Sequence, residues 1–275
     1  MRFGRRKSGK APTSEAVGRT PPEPPATTPP ALPVEEEAHS LPQSTIEQEE
    51  LLSELLSREL HAPAEPVMRA LLADYERFLG PDDPATISLY DALGHTLYQL
   101  GLTPEAEAMH REAYSRSEHR NGPDDPDTLA YAHNLATALV MSAEREEGLA
   151  LLTRTMERRE SVHGPDHATT LETAAVLGAV LFESGAQEHG FALLERVYTS
   201  YRTTLGEDDL QTLAAGGNLA AAVHTLGHTD EAARLLVVVL SGYVRTLGPD
   251  HTLTLGTQQR LRRMGWYINI NVQME

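Results

Sequence analysis

Residues 80–84 are Gly80-Pro81-Asp82-Asp83-Pro84, and the same five residues return at 122–126. Degraded copies follow at 164–168, 206–210 and 248–252, so five copies are spaced by 42 residues without slippage. An internal repeat this regular predicts an array of structural units, each packed against its neighbours. We therefore expect the protein to act by presenting a surface.

The chemistry of the motif predicts that it ends one helix and starts another. Its glycine suits the left-handed position just past a helix C-terminus, where a residue with a β-carbon is strained, and its first proline cannot continue a helix. Asp83 before Pro84 is typical of an N-cap followed by a first-turn proline, and Asp125 before Pro126 repeats it.

Two further residues occur in every copy, an aspartate at the third position of the motif and a threonine shortly after the motif. We expect both to hydrogen-bond backbone groups of the loop, because five equivalent catalytic or metal sites in one chain would be unusual. They are Asp82, Asp124, Asp166, Asp208 and Asp250, with Thr86, Thr128, Thr170, Thr212 and Thr254.

The composition excludes several classes of protein. No apolar run approaches the roughly 20 residues that cross a bilayer, so no membrane span is expected. The absence of cysteine excludes disulfides and thiolate chemistry and fits a cytoplasmic location. Two lysines against 21 arginines suggest a GC-rich bacterial genome. The formal net charge of −17 disfavours nucleic acid and anionic lipid as partners.

Residues 1–43 hold nine of the 18 prolines and are predicted to be a disordered tail with a basic tip at Met1–Lys10. That tip is either simply solvated or touches an acidic lipid or partner. The folded part is expected at 44–265. Its first helix is predicted to start with a capping box at Ser44 and to run to about Leu60. Pro63 and Pro66 are expected to interrupt the chain before a second helix, and these two helices form one divergent repeat at 44–80.

Four regular repeats at 84–122, 126–164, 168–206 and 210–248 each predict two helices. The first helix carries a core leucine followed by a small residue, at Leu93–Gly94, Leu135–Ala136, Leu177–Gly178 and Leu219–Ala220. The second helix buries Leu152, Leu194 and Leu236, and the first copy has His110 in their place.

This pattern resembles the tetratricopeptide repeat, and the 42-residue period with its Gly-Pro-Asp-Asp-Pro linker looks like the kinesin light chain type of that repeat. The resemblance implies an all-α fold, a right-handed α-solenoid of stacked antiparallel helix pairs. The sequence departs from the family's general pattern in lacking the first-helix tryptophan and in having glycine at 148 and 190, which we expect to loosen two second helices.

The C-terminal part departs from the repeat. Residues 252–264 predict a capping helix with Arg260, Arg262 and Arg263 on a polar outer face. Residues 266–275 alternate apolar and polar residues, which predicts an extended tail. It either packs on the last helix pair or is a strand offered to another chain.

The sequence contains no converging set of catalytic groups, so no catalytic, cofactor or metal site is expected. His163 and His167 are four residues apart, but a glycine-proline turn separates them. His95, His133 and His224 lie on first helices, where a metal or pH-sensitive contact is conceivable but disfavoured.

The resemblance implies a concave groove lined by the first helices, and the repeat register assigns residues to it. The groove has no lysine or arginine and therefore favours a neutral to basic partner segment. By resemblance, the two asparagines hydrogen-bond the backbone of a bound peptide, although a merely solvated helix face explains them equally well. The assigned residues are Asp91, His95, Tyr98, His133, Asn134, Thr137, Glu172, Phe182, Asn218 and His224.

These observations favour a non-catalytic adaptor whose groove binds a peptide segment of a partner protein. A regulatory or peptide-sensing subunit that acts on a separate effector is the alternative. The sequence leaves the partner and the oligomeric state open.

Overall fold

The computed structural model describes residues 41–268. The predicted disordered tail with its basic tip, up to residue 40, and the last residues of the predicted extended tail, 269–275, lie outside the described part. The described part confirms the all-α prediction, because eleven helices account for most of it. They are α1 (Gln43–Ser57), α2 (His61–Phe78), α3 (Pro84–Gln99), α4 (Thr103–Asn121), α5 (Pro126–Val140), α6 (Arg145–His163), α7 (Ala168–Glu183), α8 (Gln187–Thr204), α9 (Leu210–Thr225), α10 (Thr229–Leu247) and α11 (Thr252–Arg263).

The described helices form two compact units, residues 41–173 and 174–268, which we call the first and the second unit. In the first unit, each helix from α1 to α6 packs against the next, and α3 also contacts α5. In the second unit, α8, α9, α10 and α11 pack in succession. Consecutive packing of helix pairs is the arrangement of tetratricopeptide solenoids.

The linker glycines have the backbone conformation that ends each helix pair. Gly122 has φ 88° and ψ 169°, and Gly164 has φ 96° and ψ 164°. This positive-φ region with extended ψ is populated essentially only by glycine, as the motif predicted. The next helix then begins at once, because the Asp125 carboxylate accepts hydrogen bonds from the amides of Asp127 (3.0 Å) and Thr128 (3.2 Å).

In two degraded copies of the motif, histidine takes the place of the capping aspartate. His251 Nδ1 lies 3.2 Å from the amide of Leu253, and His167 Nδ1 lies 3.4 Å from the amide of Thr169. An imidazole nitrogen accepts such a bond only when it carries no proton. The capping role of this position therefore survives the loss of the carboxylate.

The two residues shared by every copy have different roles. Thr86 donates to the carbonyl of Gly80 at 2.8 Å, and Thr254 donates to that of Gly248 at the same distance, so the prediction for threonine is confirmed in these two copies. It is wrong for Thr128, whose Oγ1 lies 2.7 Å from Ser117 Oγ, and for Thr170 and Thr212, whose buried hydroxyl oxygens have no hydrogen-bond partner among the described residues. The carboxylates of the third-position aspartates instead form exposed ion pairs with arginines of second helices. These pairs are Asp82 with Arg116 (3.5 Å), Asp124 with Arg158 (3.6 Å) and Asp208 with Arg245.

The first two helices correct the prediction for their ends. Helix α1 starts at Gln43 behind Pro42 without any side-chain cap and ends at Ser57, so the predicted capping box at Ser44 and the end near Leu60 are wrong. Both prolines lie within α2. Pro63 is in the first turn, where an amide has no helical partner, and Pro66 removes one hydrogen bond from a helix that packing otherwise holds.

The predicted core is confirmed at the leucine that precedes the small residue. Leu93, Leu135, Leu177 and Leu219 are at most 7 % exposed. The glycines expected to loosen two second helices permit close contact, and the loosening itself stays a prediction. A β-carbon on Gly148 would lie 2.7 Å from the amide nitrogen of Val140, and one on Gly190 would lie 2.5 Å from that of Phe182.

The chain after α11 packs on the last helix pair as far as it is described. Ile268 is buried with Leu236 and Leu261, and Trp266 packs against the same cluster. Gln258 Nε2 donates to the carbonyl of Ile268 at 3.0 Å. For residues 266–268, this supports a packed tail over a strand offered to another chain.

Leu177 provides a test of the core register. Leu177→Ala should lower the free energy of unfolding by roughly 2–5 kcal/mol, because the site is 2 % exposed and truncation leaves a cavity. Leu177→Asp should unfold much of the array, since it buries an unpaired charge. Urea unfolding followed by circular dichroism measures both, with exposed Leu205→Ala as the control. Parent-like unfolding of both Leu177 variants would contradict the register.

Candidate interaction surface of the first helices

A stripe of mostly exposed side chains runs along each first helix of the repeats, and Ser88 on α3, at 7 % exposure, is a buried exception. In repeat numbering the stripe is formed by the equivalents of positions 88, 92, 95 and 99, which helical spacing places on one side. All of these positions in α5 and α7 are partly or fully exposed, and Met141 and Glu183 are the exposed ends. We call this surface the stripe and describe it separately in each unit.

Half of the predicted groove residues lie on the stripe. In the first unit these are His95, Asn134, Thr137 and Glu172, all partly exposed. In the second unit Asn218 is the partly exposed member. Thr137 donates to the carbonyl of His133 at 2.9 Å, and burial lowers the pKa of His95, with nearby His61 and His110 adding to the shift.

The other five predicted residues lie off the stripe. Asp91, His133 and Phe182 are at most 8 % exposed, so their assignment to an open groove is wrong. Phe182 packs in the core with Leu194 and Leu219.

The remaining two lie at the equivalent of Phe182 in their repeats. Tyr98 is half-buried and packs against the core of the first unit. His224 is exposed, with its Nδ1 3.2 Å from Thr229 Oγ1.

Asp91 belongs to a buried polar network that involves three helices. Its Oδ1 lies 2.7 Å from His110 Nδ1, and its Oδ2 accepts from Asn134 Nδ2 at 2.9 Å. His110 replaces the leucine of other repeats, and Gly94 leaves room for its ring, which a β-carbon there would meet at 2.8 Å. The network links α4 through α3 to the stripe residue of α5.

A second buried network was missed at the sequence level. Arg159 on α6 is 3 % exposed and donates to the carbonyls of Thr169 (2.7 Å) and Leu129 (3.1 Å) and to Thr173 Oγ1 (2.8 Å). Its guanidinium lies 3.6 Å from Glu172 Oε2. Arg159 occupies the position of Tyr75, Tyr201 and Tyr243 in other repeats, so alignment of the repeats reveals the exchange.

His133 lies beside this second network and is neutral. Its Nδ1 is 3.3 Å from Thr173 Oγ1. Burial, with a smaller effect of the Arg159 charge, lowers the pKa of His133 to about 3. Burial also raises the pKa of Glu172, against the opposing effect of Arg159.

Charge is segregated between first and second helices. Helices α3, α5, α7 and α9 contain no lysine or arginine, whereas α4, α6, α8 and α10 contain eleven arginines. Residues 44–173 carry 25 acidic and ten basic side chains, and residues 174–275 carry ten and seven. The formal net charges are thus −15 and −3. Among the first helices and α11, arginine occupies stripe positions only in α11, at Arg260 and Arg263.

Within residues 41–268, no group of three or more histidine, aspartate or glutamate side chains is placed to hold a metal ion. None of the helices in this range is long and apolar enough to cross a membrane.

Sequence profiles of the tetratricopeptide repeat match residues 55–119, 128–169, 170–210 and 212–253. These matches cover more than half of the chain, and the protein belongs to the tetratricopeptide repeat family. Its repeats resemble those of the kinesin light chain type. Proteins of this family are interaction scaffolds. A comparison with curated proteins gave no match.

Solved structures share the fold at low sequence identity. A kinesin light chain protein of Podospora anserina with nearly identical TPR-like repeats is 21 % identical, with a TM-score of 0.61, over 74 % of this chain and 96 % of that chain. A thermophilic TPR protein of Thermus thermophilus is 18 % identical, with a TM-score of 0.53, over 80 % and 98 %. BtubC (BKLC) of P. vanneervenii is 15 % identical, with a TM-score of 0.52, over 82 % of each chain.

The dependence of Asp91 on His110 can be tested by a double-mutant cycle. His110→Leu should lower the free energy of unfolding by about 3 kcal/mol, because it leaves a buried carboxylate without its partner. Asp91→Ala combined with His110→Leu should recover most of this loss. With Gly94, the double variant has the same residues as the third repeat at the equivalent positions, which are Ala175, Gly178 and Leu194. Urea titrations of the four proteins measure it. Undiminished stability of His110→Leu alone would refute the pairing.

His133 should make the fold sensitive to acid. Its folded pKa of about 3 lies below the unfolded value near 6.5, so protonation favours the unfolded chain as the pH falls through this window. We expect a destabilisation of about 1 kcal/mol per pH unit, which is absent above pH 6.5. His133→Ala should flatten the dependence of unfolding free energy on pH between about 6.5 and 4. An unchanged slope would show that His133 titrates normally.

Proposed function

We propose that this protein is a non-catalytic interaction module that holds an extended segment of a partner protein against the stripe of its first helices. In the first unit the contact residues are His95, Asn134, Thr137 and Glu172. In the second unit Asn218 lies at the matching position. The partner segment is neutral to basic.

One observation carries the proposal, namely the exclusion of lysine and arginine from α3, α5, α7 and α9. A face that is merely solvated tolerates arginine, as the exposed Arg263 at a stripe position of α11 shows. The stripe instead combines small apolar residues with side chains that carry amide, hydroxyl, imidazole and carboxylate groups. Such groups hydrogen-bond a main chain laid across them, with affinity that depends little on its side chains.

The experiment uses an array of unrelated peptides of about fifteen residues, probed with the full chain. Thr137→Arg fills the stripe of α5 with a long cation, and Ser115→Arg makes the same change at an exposed site on α4. We expect Thr137→Arg to weaken peptide binding about tenfold or more, because this corresponds to the loss of one to two hydrogen bonds. Ser115→Arg should leave peptide binding unchanged. Binding that survives Thr137→Arg would place the interaction elsewhere and refute the proposal.

A further inference from the structure

Leu51 of α1 is exposed at a position that every later first helix, and α11, buries. Its side chain is 46 % exposed, whereas its equivalents are at most 7 % exposed. A second helix precedes each of those five helices in the chain, and among the described residues no helix precedes α1. The five equivalents are Leu93, Leu135, Leu177, Leu219 and Leu261.

The preceding second helix contributes to the burial of this leucine in other repeats. Leu219 of α9 packs with Leu194 of α8, and Leu261 of α11 packs with Leu236 and Leu240 of α10. Leu261 is fully buried although no helix follows α11 in the described part of the chain. Helix α1 has the opposite surroundings, since α2 follows it and no described helix precedes it.

The position of Glu47, one turn before Leu51, also contacts the preceding second helix in another repeat. Its equivalent in α7 is Thr173, whose Oγ1 accepts a hydrogen bond from Arg159 of α6 at 2.8 Å. Glu47 is exposed. A carboxylate at this position therefore faces the place where an arginine of a preceding helix would lie.

The position of Gln48 repeats this arrangement. Its equivalent in α3 is Tyr90, which donates a hydrogen bond to Glu76 of the preceding helix α2. The buried Oε1 of Gln48 has no hydrogen-bond partner among the described residues. Buried acceptors are normally satisfied, so this position of α1 lacks a donor that a neighbouring element would supply. We call Glu47, Gln48 and Leu51 the open face of α1.

Charge indicates what kind of element fits the open face. Helix α1 contains four glutamates and no lysine or arginine, whereas α3, α5, α7 and α9 contain at most two acidic residues each. Glu47, Glu50 and Glu54 are exposed and lie around Leu51 at helical spacing. Glu54 is paired with Arg58 at 3.3 Å. An element that covers Leu51 therefore meets negative charge and is favoured by basic side chains of its own.

We propose that the open face of α1 is a docking site for a basic amphipathic helix of a partner protein, which takes the place of a preceding second helix. The repeat register gives the spacing of its contacts. An apolar residue at the position of Leu152 covers Leu51, an arginine seven residues later at the position of Arg159 pairs with Glu47, and a donor directly after it serves Gln48. Residues at this spacing share one side of a helix.

The probe is a terminally blocked, dye-labelled peptide that copies residues 145–163 of α6 and carries Glu160→Arg as the donor. Fluorescence polarisation with the full chain should show saturable binding. Leu51→Gln should weaken it about tenfold or more, because the apolar contact is lost at the centre of the site. Thr137→Arg, which changes the stripe, should leave it unchanged.

A double-mutant cycle tests the ion pair. Glu47→Gln in the chain and Arg159→Gln in the peptide should each weaken binding about tenfold, the effect of one charge-assisted hydrogen bond, and together no further. Glu157→Gln in the chain, which removes an exposed carboxylate of α6, is the control and should have no effect. Additive losses would overturn the pairing of Glu47.

Circular dichroism shows whether the variants are folded. Both altered side chains are exposed, so folding should be retained, and Glu47→Gln decides the matter if Leu51→Gln unfolds the chain. Absence of peptide binding, or binding indifferent to both variants, would overturn the inference. The proposed function does not depend on α1, so it would stand.

Two other occupants of the open face give distinct results. Self-association of the full chain in sedimentation velocity, abolished by Leu51→Gln, would make a second copy the occupant. Carbodiimide cross-links to Glu47 from Lys7 or Lys10, the only lysines of the chain, would make its own N-terminal segment the occupant. Either result would overturn the assignment to a partner protein.

Discussion

The backbone conformation of the linker glycine is the constraint on which the repeats depend. At Gly122 and Gly164 the positive φ with extended ψ stops one helix, and the capping residue three positions later starts the next. Because this geometry recurs every 42 residues, every first helix of the repeats begins at the same point of its repeat. The same register positions of each first helix therefore form the stripe.

The linker also explains what the sequence could predict. Glycine, proline and capping residues act locally, so the helices of the regular repeats and their core leucines follow from the sequence. The first repeat lacks the motif at its start, and there the predicted cap at Ser44 and the interruption at Pro63 and Pro66 fail. Packing with later helices holds α2 together despite Pro66, and local signals do not contain that information.

The candidate site was predictable only in part, and for a geometric reason. Neighbouring residues of a helix point about 100° apart, so Asp91 is buried while Ala92 lies on the stripe. The repeat register identifies equivalent positions but does not say which of two neighbouring positions faces the solvent. Asp91 is paired in the core with His110 of α4, and Gly94 leaves room for the His110 ring. The repeat register of α3 alone does not show this contact with another helix. Arg159 was missed because it lies on a second helix and reaches the stripe only through its side chain. Long-range polar contacts of this kind have no periodicity to reveal them.

The uneven distribution of charge affects how partners arrive. Residues 44–173 hold most of the excess carboxylates, with a formal net charge of −15 against −3 for residues 174–275. The electric field of such a chain extends about 10 Å into solution at about 0.1 M salt and attracts cations before any contact forms. If the partner segment is basic, as proposed, it is steered to the N-terminal half of the repeats. Their association rate, rather than their residence time, should carry the dependence on ionic strength.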